Sequence, residues 1–236
     1  RNGLALKDRP DPAWSGRVVL EPGWALFRGQ TGHATFHKHY AVQIMFSAKD
    51  DRVKSAGMKS ASKGRVTIIS SMEPHQITSS SHVTDVLFVD PLRYQHLAES
   101  HGADALACAN VDSWISHIRS ATAKPKDLRI AELLRELDEM EELAPGYSAR
   151  DAARQINLSS SRFSALFRAE MKLPFRQWVL WSRLQRALSV ILSGSDLTSA
   201  AYAAGFSDSA HLARTMKSMF GVSLSKGIAP LTRISI

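Results

Sequence analysis

The sequence predicts an α+β chain: a small β-barrel followed by an all-α unit that holds two helix-turn-helix repeats joined by a long helix. Three observations predict it. From Val18 to Pro91, short runs of β-branched and aromatic residues are separated by Gly, Pro, Ser and Asp, the pattern of a small barrel or sandwich. After Asp90-Pro91 the apolar period lengthens to that of helices. The last third then repeats itself. Phe163, Phe167, Arg168 and Met171 return as Leu212, Met216, Lys217 and Phe220 at an offset of 49, and Ala153 and Leu158 return as Ala201 and Phe206 at an offset of 48.

In the β region the expected strands centre on Val18-Val19-Leu20, Trp24-Ala25-Leu26-Phe27, Val42-Gln43-Ile44-Met45-Phe46, Val66-Thr67-Ile68-Ile69 and Val86-Leu87-Phe88-Val89. Ser47 to Lys63 is polar and reads as a long hairpin or a mobile loop. Helices are expected over Leu92–His101 and around Ser113–Ala121. Lys124-Pro125-Lys126 breaks the chain, and Asp127 can cap the helix that follows. That helix carries an apolar stripe of Ile130, Leu133, Leu134, Leu137 and Met140. Its other face is acidic (Glu132, Glu136, Glu139, Glu141, Glu142) and reads as solvated, with the alternative that it contacts the basic unit beyond it. Pro145-Gly146 ends it.

Each repeat reads as a short helix, a tight turn and a second helix. The first pair is Ala149–Ile156 and a helix from Ser159 or Ser160 to about Lys172. Asn157 stands at its turn, where a left-handed backbone is tolerable. The second pair is Leu197–Ala204 and a helix from Ser207 or Asp208 to about Phe220, with Gly205 at the turn. Small residues at Ala152, Ala153, Ala200, Ala201 and Ala204 let paired helices cross closely. Phe163, Leu166 and Phe167 are expected to fill one core, and Leu212, Met216 and Phe220 the other. Between the copies, Phe175–Leu192 reads as one helix. At a rise of ~1.5 Å per residue it spans roughly 27 Å, close to the ~34 Å between successive major-groove faces of B-DNA.

Charge divides the chain as the repeat does. Residues 1–147 hold 18 basic and 18 acidic residues, whereas residues 148–236 hold 12 basic against 4 acidic, the whole of the net charge of +8. A compact basic unit favours a polyanion, because each phosphate contact releases counterions. The organisation expected is therefore an effector-binding or dimerisation domain with trailing helices over 1–122, a linker helix over 123–147 and the basic unit over 148–236. No run of about 18 apolar residues is present, so no membrane span is expected. Arg1 to Pro12 lacks the apolar run of a signal peptide and an initiating Met, so the sequence reads as trimmed. The single cysteine, Cys108, excludes an internal disulfide and fits a reducing compartment.

The segment Ser148–Ser225 resembles the AraC/XylS family of bacterial transcription regulators. The resemblance rests on "NLSSSRFSALFR", on Trp178, Arg183 and Ala187 along the connecting helix, and on "AAYAAGFSDSAHLARTMKSMFGVS", where Ala201, Gly205, Phe206, Arg214, Lys217 and Gly221 are the most specific spacing. Leu173 stands where the family usually has Gly, Leu224 where it has Pro, and Gly227-Ile228 where it has an aromatic-Arg pair. These departures concern the C-terminal packing. The resemblance implies an effector-responsive regulator, activator rather than repressor, in the bacterial cytoplasm with the nucleoid. Its implied partners are double-stranded promoter DNA, RNA polymerase, a small-molecule effector of unknown identity and a second copy of the chain. Base-reading side chains are expected early on each second helix, away from its core face: Ser161, Arg162, Ser164 and Ala165, then Ser209, Ala210, Ala213 and Arg214. Arg214 is the best single candidate for a guanine, set against a phosphate clamp or an internal salt bridge. Arg168, Lys172, Arg176, Ser207 and Lys217 are assigned to phosphates.

Ahead of this unit, His37-Lys38-His39 and Glu73-Pro74-His75 give the β domain a weaker resemblance to cupins, where such histidines with a nearby Glu hold one metal ion. Here Gln43 stands at the Glu position. Alternate residues on a strand face one side, so His37, His39 and His75 are candidate ligands for a divalent metal; otherwise they are ordinary pocket histidines. No cofactor is expected apart from that ion. Trp24, Phe36, His39, Gln43, Met45 and His75 are candidate walls of an effector pocket at the barrel mouth. The sequence carries no catalytic triad, phosphate-binding Gly loop or paired carboxylates with usable spacing, so a non-enzyme is expected. The alternative is a cupin-type metal-dependent enzyme with an appended nucleic-acid-binding domain.

Overall fold

In the computed structural model, which describes residues 13–46, 53–55, 66–78, 82–102, 110–121, 124–140, 144–228 and 231–234, the β region alternates its side chains as a half-buried sheet must. Its strands are β1 (Ser15–Glu21), β2 (Trp24–Gln30), β3 (Val42–Phe46), β4 (Val53–Ser55), β5 (Val66–Ile69), β6 (His75–Ile77) and β7 (Val83–Val89), with β8 (Leu231–Arg233) arriving from the C-terminal segment. Six strands form one sheet in the order β5-β3-β7-β2-β1-β8, antiparallel except for β8, which runs parallel to β1. Strands β4 and β6 pair separately. Among the described residues the expected barrel is therefore open. It is a cupin-like sheet, and the ribbon is bridged from His75 to His37, which lies with His39 on the connection between β2 and β3 and not on the expected strand. Of the segment Ser47–Lys63 only β4 is described, and Arg1–Pro12, Cys108, Glu141 and Glu142 lie outside the described residues.

Both faces of the sheet are covered, which explains unbroken apolar runs such as Val86–Val89. Val19, Leu26, Ile44 and Leu87 point to one face, where Leu97 of α1 (Pro91–His101) and Trp114 and Ile118 of α2 (Val111–Ser120) pack on them. Asp90 starts α1 by accepting from the Leu92 amide at 2.8 Å. Val18, Phe27, Met45 and Val86 point to the other face, and the C-terminal helices close over that one.

Helix α3 (Leu128–Glu139) begins at its expected cap, Asp127, which accepts from the Arg129 amide at 3.0 Å. Ile130, Leu133, Leu134 and Leu137 are buried, while Met140 falls outside the stripe and is 43% exposed. The repeats follow as α4 (Ala149–Gln155) with α5 (Ser160–Met171), then α6 (Phe175–Leu192), then α7 (Leu197–Ala203) with α8 (Ser209–Phe220) and a last turn, α9 (Leu224–Gly227). Asn157 takes φ 56° and Gly205 φ 76° at the two turns. Ser159 caps α5 through the Arg162 amide at 3.3 Å, and Asp208 caps α8 through the His211 amide at 2.6 Å.

The two units bury their cores differently. In the first, Phe163 and Phe167 share a cluster with Ala152 and with Ile130, Leu133 and Leu137 of α3, so the expected linker helix is that unit's third layer. Leu166 is only partly buried. In the second, Phe206, Leu212 and Met216 share a cluster with Phe27, Met45 and Val86 of the sheet. The chain beyond the last helix also belongs to the sheet. Strand β8 extends it, the Ile234 amide donates to the Val18 carbonyl at 2.9 Å, and Trp14 donates to the Lys226 carbonyl at 3.0 Å. Leu224 and Ile228, two of the departures from the family pattern, lie in this same cluster.

Candidate nucleic-acid interface and the joint beneath it

Helix α5 turns Phe163 and Phe167 inward, so the residues between them face out. Ser161, Arg162, Ser164 and Ala165 are all exposed. On α8, Leu212 and Met216 point inward; Ala210 and Arg214 are exposed, while Ser209 and Ala213 are half-buried and Ala213 packs against the core. Arg168, Lys172, Arg176, Ser207 and Lys217 are exposed. Among the described residues none of the six cations at positions 162, 168, 172, 176, 214 and 217 makes an ion pair. Arg214 has Asp208 as an acidic neighbour. The amide of His211, the Ser207 hydroxyl and the field of Arg214 hold the Asp208 carboxyl below its ordinary value without a salt bridge forming. The Ser207 hydroxyl lies 3.0 Å from Asp208 Oδ2 and 3.2 Å from His211 Nδ1, so it serves the helix start. One flank of α8 borders the β domain, since Arg214, Thr215 and Ser218 share a groove with Lys38 and Tyr40.

The acidic face of α3 is largely spent on itself: Arg135 pairs with Glu132 and Glu139 at 2.5 and 2.6 Å. Glu136 reaches the first unit, accepting from Gln155 at 2.6 Å. Two arginines in the middle of α6 reach back, one to α3 and one to the segment after it. Arg183 donates to the Ala144 carbonyl at 2.9 Å and Arg186 to that of Leu137, and burial pulls both guanidinium groups below their ordinary pKa.

Between the sheet and the C-terminal helices lies an apolar cavity of about 90 Å³. Phe27 and Phe88 form its floor, and Trp181, Leu188, Met216 and Phe220 face them; His37, Gln43 and Gln185 are its polar wall. Of the residues expected to line a pocket, Gln43 does so. Met45, His39 and His75 are buried nearby, with Met45 in the same apolar cluster. Trp24 lies on the opposite face of the sheet under the Arg119 guanidinium, and Phe36 is 55% exposed, so neither lines this cavity. Trp181 and Phe220 were not foreseen as pocket residues. Their apolar spacing marks them as inward but does not say onto what.

The three expected histidines do come together, all buried, with one ring nitrogen of each within 4.8 Å of the others. Their rings lie 4.2 Å (His37–His75), 5.1 Å (His39–His75) and 5.7 Å (His37–His39) apart. Burial, with the neighbouring imidazoles, pushes His37 down to about 4 and His39 to about 3; burial also lowers His75. All three are neutral at pH 7. The set sits directly beneath the second repeat: the His39 ring is 5.7 Å from Phe220 and 6.1 Å from Trp181. Thr35 donates its amide at 3.0 Å and its hydroxyl at 3.1 Å to the Gly221 carbonyl at the end of α8.

Residues 152–227 match the family described as "Helix-turn-helix domain". No curated protein sequence matches the chain. Among solved structures, ToxT from Vibrio cholerae O395 bound to (E)-4-(8-methylnaphthalen-1-yl)but-3-enoic acid is similar over 86% of this chain and 97% of its own, at 10% identity and a TM-score of 0.53. A second ToxT structure from Vibrio cholerae gives the same coverage and identity at 0.51. An AraC-type regulator from Chromobacterium violaceum is 21% identical over 41% of this chain and 85% of its own, with a TM-score of 0.36. The ToxT structures share the arrangement of both halves, a likeness of fold.

Proposed function

We propose that this chain, a DNA-binding transcription regulator whose residues 152–227 form an AraC-type helix-turn-helix domain, reads a promoter with α5 and α8 in adjacent major grooves and is set by a small molecule between sheet and helices. The observation that carries the reading is the asymmetry of α5 and α8. Each buries its apolar face in a core and leaves a basic, unpaired face in solvent. The proposed base readers are Ser161, Arg162, Ser164, Ala165, Ser209, Ala210, Ala213 and Arg214, with Arg168, Lys172, Arg176, Ser207 and Lys217 on phosphates. Short side chains on α5 leave room for thymine methyls and shape readout; Arg214 has the reach for guanine.

The effector proposal rests on the cavity. Its wall is apolar apart from His37, Gln43 and Gln185, which suits an apolar molecule with one polar group. At about 90 Å³ it is smaller than the ~300 Å³ of an ordinary ligand site, so a ligand would have to lift α6 and α8 from the sheet to enter. That displacement is the proposed coupling. The ToxT complex with a naphthalenyl butenoic acid supports this class of ligand. Activation through RNA polymerase, action as a dimer and a place in the cytoplasm with the nucleoid rest on the family resemblance alone.

Selection of bound duplexes from a random pool tests the reading. The expected outcome is a preferred site of about two helical turns with a steep salt dependence. Equal affinity for selected and random duplexes would reject it.

A further inference from the structure

The histidine set has a property that DNA binding does not use. Each Nδ1 lies near a main-chain carbonyl oxygen: His37 at 2.7 Å from Thr35, His39 at 2.9 Å from Ala41 and His75 at 2.8 Å from Glu73. A carbonyl only accepts, so each Nδ1 carries the hydrogen and each neutral ring presents a bare Nε2. The Gln43 amide oxygen faces two of these, 3.0 Å from His39 Nε2 and 3.3 Å from His75 Nε2, while its amide nitrogen is buried without a partner. Lone pairs therefore converge with no donor among them, an arrangement that costs free energy in a buried site. Turning the amide over would serve His39 and His75 but not His37, and would orphan the oxygen instead. A cation would engage the oxygen and all three ring nitrogens at once, leaving only the amide nitrogen as it is.

We propose that His37, His39 and His75, with the Gln43 amide oxygen as fourth ligand, hold a divalent transition-metal ion of the Zn²⁺ class, and that the occupied site fixes the second helix-turn-helix unit on the sheet. Imidazole nitrogens favour Zn²⁺, Co²⁺, Fe²⁺ and Ni²⁺ over the oxygen-seeking ions. The outward Nδ1–H bonds to carbonyls are the outer contacts that orient ligating histidines. Two of the ligands are already locked to each other, since His37 and His75 exchange main-chain hydrogen bonds at 2.9 Å in both directions. Metal–nitrogen bonds of ~2.0–2.1 Å require ring nitrogens about 3.4 Å apart, so the set closes by an ångström or so on binding.

That closure would be felt at the end of α8. Thr35, two residues before His37, holds the Gly221 carbonyl twice, and a Cβ at position 221 would lie 2.8 Å from His37 Nδ1. Phe220 rests on His39. The regulatory consequence rests on the DNA-binding reading; the site itself does not.

The test uses the full chain stripped with chelator and titrated with Co²⁺. The expected result is one equivalent bound with tetrahedral visible bands, displaced by Zn²⁺. His75→Asn should lower affinity at least ~100-fold. Gln43→Glu, which keeps the shape and adds a charge, should raise it roughly tenfold, and this variant decides the matter if His75→Asn does not fold. On Zn²⁺ addition the amides of residues 219–224 should exchange more slowly. Absence of uptake by the folded chain, or affinity unchanged by Gln43→Glu, overturns the site. Metal bound with exchange unaltered at 219–224 overturns the coupling. Neither measurement contains DNA, so failure here and failure of the duplex selection are separate results.

Discussion

Gly221→Ala should cost about 3 kcal/mol, far more than the same kind of change at the matching place in the first repeat. Position 172 is the repeat partner of 221, and both end their helices in the left-handed conformation, at φ 60° and φ 69°. Lys172 manages this as an ordinary side chain because it is exposed. At 221 an added Cβ would lie 2.3 Å from the Thr35 carbonyl oxygen and 2.9 Å from its amide nitrogen, closer than backbone atoms permit. The glycine is therefore demanded by the connection between β2 and β3 more than by the turn. Holding alanine in that conformation costs about 1 kcal/mol. Pushing the segment away breaks both Thr35 bonds to the Gly221 carbonyl, worth about 1 kcal/mol each. For a chain of this size 3 kcal/mol is a fall in Tm of roughly 6–12 °C. Chemical and thermal denaturation of Gly221→Ala beside Lys172→Ala measures it, the latter moving stability by less than about 0.5 kcal/mol. A loss at 221 no greater than about 1 kcal/mol, the turn's own cost, would refute the contact with Thr35.

Arg162→Ala and Arg214→Ala should each weaken binding to a selected duplex by about 1–3 kcal/mol and relax preference at one position, while Arg168→Ala should weaken all duplexes alike and reduce the salt slope by about one. Binding titrations at several salt concentrations separate the two classes. Ser159→Ala removes the side-chain cap of α5 and should cost about 1 kcal/mol in urea unfolding. Asp208 is held below its ordinary value, so its cap on α8 is complete above about pH 4 and is lost as pH falls through the lowered folded value; amide exchange at His211 should rise in that window and stay flat in Asp208→Asn.

The parts of the fold written in local chemistry were legible in the sequence. The cap at Asp127, the left-handed turns at Asn157 and Gly205 and the limits of α6 all follow from residue type over a few positions, and the caps of α5 and α8 narrow to Ser159 or Ser160 and to Ser207 or Asp208, of which the structure takes Ser159 and Asp208. What local chemistry lacks is the identity of a distant partner. The period of two in β2 and β3 separates Trp24 and Ile44 from Phe27 and Gln43, but it does not say which face meets α1 and α2 and which meets the C-terminal helices. That is why Trp24 is misplaced as a pocket wall and Gln43 is not. Strand β8 is three residues long and pairs with β1 from the far end of the chain. Leu231 and Ile234 are three apart and pack on opposite faces of the sheet, so the sequence carries no alternating signal for it. Gly221 reads as a helix end in any sequence, and its contact with Thr35 is visible only in three dimensions.

One repeat, used twice, has two different third layers, and under the proposed coupling this decides which unit a ligand would reach. The first unit brings its own in α3, whose Ile130, Leu133 and Leu137 close over Phe163 and Phe167. The second borrows the sheet, with Met45 and Val86 beneath Leu212 and Met216. A fragment of residues 124–236 keeps the first arrangement and strips the second of its cover. Amides of α8 in the fragment should then exchange faster than those of α5, whereas in the full chain, where both helices are roofed, the difference should shrink. The unit packed on the sheet is the one that the proposed ligand in the cavity or the proposed ion on the histidines would reach. Equal protection of α5 and α8 in the fragment would mean that the second unit stands alone, and neither site would then have a mechanical route to DNA.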